Sequence, residues 1–250
     1  MRIIFSALVC AFVWLAPAVA GTLEENVKQA DSGDAGAQYN LGVMYAKGQG
    51  VPQDYAEAAK WYRLAAEQGN ADGQFNLGFM YAKGEGVPQD DAEAAKWFRL
   101  AAEQGNADGQ YSLGVMYAKG EGVPQDDAEA MKWFRLAAEQ GLAHAQHNLG
   151  VICLEGLGVP KDYAEAMKWF YLSAEQGHAP AQHNLGVMYA QGYGVPKDDA
   201  EAYIWFVLAA ISGNDRSVEA RDIQGEQLDP LSRTQAQKRA KELHRKINNH

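Results

Sequence analysis

Apolar side chains return at helical spacing in short blocks along the chain, and breaks rich in glycine and proline separate the blocks. In the stretch AGAQYNLGVMYAKG, Leu41, Met44 and Tyr45 fall on one face of a helix. Gly48 and the following VPQD interrupt this pattern, because proline cannot continue a helix. The alanine-rich stretch YAEAAKWYRLAAEQG then restores helical spacing until Gly69. The pattern predicts two helices joined by a glycine–proline turn.

This two-helix pattern recurs every 36 residues. The tryptophans of the second helix mark the period, at Trp61, Trp97, Trp133, Trp169 and Trp205. A fixed period of this size indicates stacked supersecondary units. We therefore predict an all-α fold, an α-solenoid of about five 36-residue helix-turn-helix repeats with capping helices. The predicted segments are a signal peptide at 1–20, an N-terminal capping helix at 21–32, repeats at 33–68, 69–104, 105–140, 141–176 and 177–212, and a degenerate repeat with a C-terminal capping helix at 213–250.

Residues at the predicted helix ends have the chemistry of caps. Asp54 precedes the second helix and Glu57 follows three residues later, a pair typical of a capping box that recurs in every repeat. Thr22 is expected to cap the N-terminal helix, and Asp229 with Pro230 to begin the last one. The glycine inside each first helix, such as Gly42, costs about 1 kcal/mol of helix propensity. We expect it to allow close approach of the alanines of the second helix.

The repeated motif resembles those of two related families. LGVMY is similar to the L-G-x-x-Y core of tetratricopeptide repeats, and Ala58, Tyr62 and Ala65 match their A-x-x-x-F-x-x-A pattern. The 36-residue period, the G-x-G-V-P-x-D turn and the tryptophan resemble more closely the Sel1-like repeat family, of the exported bacterial type. This resemblance covers about residues 33–212. It implies a right-handed superhelix with the first helices on its concave side, and a role as an interaction scaffold.

Tetratricopeptide geometry, transferred onto the matched positions, implies a set of groove-facing residues. Asparagine next to the repeated leucine would clamp a peptide backbone, or would instead bond a neighbouring helix and set the stacking. Three lysines at the ends of consecutive first helices would form a basic stripe for an acidic segment, or would only complement helix C-termini. The predicted partner-binding residues are Tyr39, Asn40, Lys47, Phe75, Asn76, Lys83, Tyr111, Lys119, His147, Asn148, His183 and Asn184, with Val43, Phe79, Ser112, Val115, Val151, Glu155, Val187 and Gln191 at equivalent positions.

A hydrolytic or β-lactam-binding function and a metal-binding function are the two alternatives to a scaffold. A hydrolase or β-lactam-binding protein, as in a cysteine-rich branch of the resembled family, would need paired cysteines and an S-x-x-K motif, and the sequence has neither. A metal site is conceivable at His144, His147 and His183, with His178 nearby, although no H-E-x-x-H spacing occurs. Cys153 replaces a repeat tyrosine and is expected to be buried and inert. The sequence predicts no enzyme activity and no cofactor.

Charge and the N-terminal segment limit the partner and the location. The formal net charge of −10 argues against nucleic acid as a partner and favours protein or peptide. Arg2, the short apolar run after it and the sequence AVAG predict a signal peptide cleaved between Ala20 and Gly21. The remainder contains no long apolar run, so stable membrane insertion after cleavage is not expected. The sequence thus favours a periplasmic or secreted scaffold that binds a protein or peptide in its groove.

Overall fold

The computed structural model describes residues 17–248, with side chains from residue 23 onward. Over this range the chain contains thirteen α-helices and no strand, which confirms the predicted all-α solenoid class. Most of the predicted signal segment, residues 1–16, lies outside the described residues. The helices are α1 (Pro17–Asp31), α2 (Ala35–Lys47), α3 (Tyr55–Glu67), α4 (Ala71–Lys83), α5 (Asp91–Glu103), α6 (Ala107–Lys119), α7 (Asp127–Glu139), α8 (Ala143–Glu155), α9 (Tyr163–Ala174), α10 (Ala179–Gln191), α11 (Asp199–Ile211), α12 (Asp215–Glu226) and α13 (Pro230–Asn248).

The chain divides into two compact units. The first unit ends at Gln89 and contains α1–α4, and the second begins at Asp90 and contains α5–α13. Within each unit, helices adjacent in sequence pack against each other, except that α13 packs on α11 and not on α12. Each of the five predicted repeats contributes one first helix (α2, α4, α6, α8, α10) and one second helix (α3, α5, α7, α9, α11).

Aspartate and glycine set the ends of the repeat helices, as predicted. Asp54 Oδ1 accepts hydrogen bonds from the backbone N–H groups of Ala56 and Glu57 at 2.9 and 3.0 Å. Gly48 ends α2 in the left-handed conformation, at φ 67°. The N–H of Asp54 donates to the carbonyl of Tyr45 at 3.0 Å. That N–H therefore has a partner in the preceding helix and does not need the glutamate of a capping box.

The prediction that the glutamate of the capping box bonds the backbone N–H of the aspartate is therefore wrong. In the second unit, Glu129 Oε2 instead accepts from Trp133 Nε1 at 3.0 Å, and Glu165 Oε1 accepts from Trp169 Nε1 at 2.8 Å. The predicted cap at Thr22 is also wrong. Helix α1 extends back to Pro17, so Thr22 lies inside it. Ala18 and Ala20 favour helix, and proline is compatible with a first helical turn.

The glycine inside each first helix permits a close approach, but by an aromatic ring and not by the predicted alanines. A Cβ added at Gly42 would lie 2.6 Å from Cδ1 of Tyr62, and one at Gly150 would lie 2.6 Å from Cδ1 of Phe170. Gly186 meets Phe206 at the same distance. The helix-propensity cost of glycine is thus offset by the burial of one large ring in each repeat.

The repeated tryptophans lie in the core, as predicted. Trp97, Trp133, Trp169 and Trp205 are 7%, 6%, 6% and 2% exposed. Trp61 is only half-buried and packs against the cluster of Ala30, Ala37 and Leu41 in the first unit. The tryptophans thus anchor the second helices to their neighbours along the array.

A buried glutamine in each repeat was missed by the sequence analysis. Gln110 Nε2 donates to the carbonyl of Ala102 at 3.1 Å, and Gln146 Nε2 donates to that of Ala138 at the same distance. Each carbonyl lies at the end of the preceding second helix, where the last backbone carbonyls have no hydrogen-bond donor within the helix. The recurrence of a glutamine at the 36-residue period was the available signal.

The last two helices differ from the repeat. Asp229 caps α13 by accepting from the N–H groups of Leu231 and Ser232, which confirms the predicted start. Helix α13 packs on α11, and its Ala236 and Ala240 belong to one buried cluster with Ile204 and Leu208. The position of Ile204 is a lysine in the four earlier repeats. Isoleucine in place of lysine therefore provides an apolar surface on α11 that α13 covers.

Candidate functional site

Predicted groove residues of the third and fourth repeats meet in one cavity of the second unit. The cavity has a volume of about 340 Å³ and lies between the first helices α6 and α8. Four of the predicted positions contribute to it, namely Val115, Lys119, Asn148 and Val151. The remaining walls are formed by Ala118, Gln125, Asp127, Ala130, Phe134, Ile152 and Leu157. This volume is large enough for one bulky side chain of a ligand.

Leu157 was missed by the sequence analysis. It is 46% exposed and lies in the turn after α8. The same turn position is Gln49, Glu85 and Glu121 in the first three repeats. An apolar residue at a position that is polar in the first three repeats was the signal that comparison of the repeats could have found.

The asparagine of the cavity is held from two sides. Burial raises the pKa of the Tyr111 hydroxyl, and a hydrogen bond with Asn148 offsets part of that rise. His147 Nδ1 lies 3.3 Å from Asn148 Oδ1. These contacts fix the amide plane of Asn148 at the edge of the cavity.

A contact of this kind recurs between successive first helices. Tyr39 bonds Asn76 in the first unit, and His147 Nε2 lies 3.2 Å from Asn184 Nδ2 in the second. In these three pairs of repeats, the side chain two residues before the repeated leucine thus meets the asparagine of the next repeat. This contact favours the stacking role for the asparagines, while Asn148 also lines the cavity.

The aromatic or histidine residue at this position also packs on its own second helix. The ring centroids of Tyr39 and Tyr62 are 5.9 Å apart, and those of Tyr111 and Phe134 are 5.7 Å apart. Each such ring is half-buried, so it presents only one edge to a ligand. The same arrangement holds for His147 on Phe170 and His183 on Phe206.

The remaining predicted residues differ in exposure. Asn40 is exposed, while Phe75 and Asn76 are half-buried, and Asn76 Nδ2 donates to the carbonyl of Asp72 at 2.9 Å. Asn184 is half-buried and does not line the cavity. In the second unit the cavity is lined by some of the predicted positions of repeats three and four and by none of repeat five.

The three predicted lysines are exposed and end their first helices. Lys47 and Lys83 lie in the first unit, and Lys119 lies in the second. Each precedes a left-handed glycine, where a cation complements the helix C-terminus. Lys119 Nζ lies 3.5 Å from Glu121 Oε1, an exposed pair that contributes little stability. Lys119 is also the cation beside the cavity.

The histidines cluster differently from the predicted metal site. The ring centroid of His178 is 4.7 Å from that of His144 and 5.0 Å from that of His147. His183 is not part of this group, because its Nδ1 lies 2.8 Å from Ser217 Oγ. No group of three or more His, Cys, Asp or Glu side chains in the described range has the geometry to hold a metal ion.

Burial lowers the pKa of two of these histidines. It lowers the pKa of His178 to about 4, with further lowering by His147 and His144. Burial also lowers the pKa of His147, an effect that a hydrogen bond with Asn148 opposes and that His144 reinforces. Cys153, as expected, is buried at 4% exposure, and burial raises the pKa of its thiol. A thiol held protonated is a weak nucleophile.

No helix among residues 17–248 combines the length and the apolar character needed to cross a membrane.

The sequence matches the family model described as the Sel1 repeat five times, at residues 35–70, 71–106, 107–142, 143–178 and 179–214. A comparison with curated protein sequences gave no match.

Two solved structures are similar to this chain. One is a protective antigen present in uropathogenic Escherichia coli strains that displays an SLR fold, with 38% identity over 90% of this chain and a TM-score of 0.81. This chain spans about half of that antigen, 49% of its length. The other is a Sel1 repeat protein from Oxalobacter formigenes, with 33% identity over 89% of this chain and 93% of that protein, and a TM-score of 0.77.

Proposed function

Since this chain belongs to the Sel1 repeat family, we propose that it is a non-catalytic scaffold that binds a peptide segment of another protein between its first helices. Sel1 repeat proteins are generally protein–protein interaction scaffolds. The groove, its ligand and the site residues are our inference from the geometry of the second unit.

One observation supports the proposal, namely that four positions implied by tetratricopeptide geometry line one open cavity. Val115 and Lys119 come from α6, and Asn148 and Val151 come from α8. Peptide grooves in helical repeats need an apolar floor with a few fixed polar groups. The valines and Leu157 supply the apolar surface, and the amide of Asn148 supplies a donor or acceptor for a peptide backbone.

The charge beside the cavity favours a partner with an acidic group. Lys119 places an exposed ammonium group beside the apolar surface of the cavity. Its ion pair with Glu121 is exposed and weak, so a carboxylate of a ligand can replace it. Asp127 on the opposite wall disfavours a second acidic group in the ligand. We therefore propose a ligand with one bulky apolar side chain and one nearby carboxylate.

The absence of a catalytic role is also proposed on chemical grounds. The repeat aspartates cap helices, and the glutamates after them bond tryptophan or lysine. A catalytic acid or base needs access to a substrate and a shifted pKa. Cys153 is buried and its thiol stays protonated.

The groove can be tested by selecting peptides from a displayed random library on the full chain at pH 7.5. Leu157→Glu gives this turn the residue that Glu85 and Glu121 provide in other repeats, so the variant should fold. We expect the selected peptides to bind it about tenfold more weakly, because a charge replaces an apolar contact. Lys119→Glu should slow association and reduce its dependence on salt.

Two variants serve as matched controls for this experiment. Leu136→Glu changes a leucine that is 38% exposed on α7 and does not line the cavity. Lys132→Glu reverses a lysine on the same helix, likewise outside the cavity lining. Equal loss of peptide affinity in the groove and control variants would contradict the proposal.

We also propose that the chain is exported and acts in the cell envelope or outside the cell. The support is the basic start, the short apolar run and the AVAG sequence at the N-terminus. N-terminal sequencing of protein recovered from the envelope fraction or the medium should begin at Gly21. A product that retains Met1 and stays in the membrane would refute export by cleavage.

A further inference from the structure

Three histidines of the second unit replace three different residues of the earlier repeats. His144 stands where Asp72 and Asp108 stand, and His178 stands where Asn70 and Asn106 stand. His147 stands where the third repeat has Tyr111 and the second has Phe75. Separate replacements in two repeats thus meet at one place, with His178 within 5.0 Å of both other rings.

The hydrogen bonds assign the position of the proton on His147. Asn148 Oδ1 is an acceptor, so His147 Nδ1 at 3.3 Å carries a hydrogen. Asn184 Nδ2 is a donor, so His147 Nε2 at 3.2 Å offers its lone pair. Only the neutral ring satisfies both amides in this arrangement.

The hydrogen bonds of His178 also fit a neutral ring. Ser173 Oγ donates to the carbonyl of Ala143 at 2.7 Å, so it accepts from His178 Nδ1 at 3.1 Å. His178 also lies at the N-terminus of α10, where the helix dipole opposes a positive charge.

Among the described residues, no acidic group is one of those that shift the pKa of His147 or His178. The groups that shift the pKa of His147 are Asn148 and His144, and those that shift the pKa of His178 are His147 and His144. From α6 the titratable group that contacts the cluster is Tyr111, whose ring centroid is 6.1 Å from that of His144. From α9 the contacts are Phe170 and Ser173, which do not titrate.

The cluster is linked directly to the proposed groove. Asn148 lines the cavity and is held by His147 and Tyr111, and both of these residues touch the other histidines. A proton added at His147 Nε2 removes the acceptor for Asn184, whose amide must then turn. A second proton on His178 places two cations about 5.0 Å apart across the boundary between α8 and α10.

We propose that His144, His147 and His178 form an acid-responsive element that separates α8 from the start of α10 on protonation and so displaces Asn148 and weakens binding in the groove. The effect on binding rests on the proposed function, while the structural response does not. In an opened cluster His147 and His178 regain an ordinary pKa of about 6.5. Below that pH, the ratio of opened to closed molecules rises about tenfold per pH unit for each histidine that gains a proton on opening.

The structural response can be tested without any partner. His147→Tyr combined with His178→Asn rebuilds the residues of the third repeat, Tyr111 and Asn106, so this double variant should fold. In the full wild-type chain, NMR between pH 7.5 and 4.5 should show the side-chain amide of Asn148 moving with the same midpoint as the His147 ring. Urea unfolding midpoints should fall more steeply with acid in the wild type than in the double variant.

His244→Gln is the control for loss of a histidine, because His244 lies on α13 and bonds only Asn248 among the described residues. It should keep the wild-type acid response. An Asn148 amide that does not respond to pH, or equal acid sensitivity in wild type and double variant, would overturn the proposal.

The effect on binding needs a second measurement. Peptides selected at pH 7.5 should bind the wild type at least about tenfold more weakly at pH 5, and should bind the double variant with little change. Equal weakening in both proteins would refute control of the groove by the cluster. If the Leu157→Glu substitution leaves peptide affinity unchanged, the proposed groove is refuted. The NMR and urea measurements then still test whether the histidine cluster responds to acid.

Discussion

Replacing Trp133 with alanine should lower the free energy of unfolding by about 3–5 kcal/mol. Trp133 is 6% exposed on α7, its Nε1 donates to Glu129 at 3.0 Å, and Lys132 lies over its ring at 5.1 Å. The substitution removes a large buried ring and leaves a cavity that a packed helix layer closes only in part. Because each repeat stabilises its neighbours, the loss in a central repeat affects both sides. Urea unfolding followed by circular dichroism measures the change.

Leu136→Ala is the matched control for this experiment. Leu136 lies on the same helix but is 38% exposed, so its truncation should cost less than about 1 kcal/mol. Similar losses for the two variants would show that Trp133 does not anchor the repeat. An unchanged unfolding curve for Trp133→Ala would refute its place in the core.

The sequence predicted the helices well because the repeat supplies the same local evidence five times. Aspartate is a favoured capping residue, and Asp54 does form the cap hydrogen bond. Glycine is favoured just after a helix, and Gly48 does adopt the left-handed conformation there. Such features depend on a few neighbouring residues. They can therefore be predicted without knowledge of the packing.

Features that depend on which side chains come together in the packed structure were predicted less well. Glu129 was expected to bond the backbone at the helix start, but Trp133 offers it a half-buried donor one turn away. The helix glycines were expected to face alanines, yet Gly150 faces the ring of Phe170. In both cases the residue type was informative, while its partner was set by the packing of the helices.

The candidate site shows the same limit. Repeat register identified Val115, Lys119, Asn148 and Val151, all of which line the cavity. It could not identify Leu157, because the turn has no counterpart in the tetratricopeptide geometry used for the transfer. The histidine cluster was predicted to include His183, but Ser217 of α12 provides that ring with a closer partner. The degenerate sixth repeat gave no motif from which this contact could be inferred.

Replacing Gly122 with alanine should cost about 2–4 kcal/mol of stability, although it adds only one methyl group. Gly122 has φ 68°, and a Cβ there would lie 2.0 Å from the carbonyl oxygen of Asp91 at the start of α5. Left-handed backbone alone costs a residue other than glycine about 1 kcal/mol. The rest of the expected loss comes from the collision, which can be relieved only by moving the turn away from the preceding second helix.

Gly120→Ala separates these two contributions. Gly120 has almost the same φ, 72°, but its Cβ would meet only Gln125, at 3.3 Å and beyond. Its substitution should therefore cost about 1 kcal/mol, the backbone cost without the collision. Thermal or urea unfolding of the two variants measures the difference. Equal losses would mean that the second glycine of each G-x-G turn only relieves backbone strain, whereas a larger loss at Gly122 means that this turn also fixes the spacing of adjacent repeats.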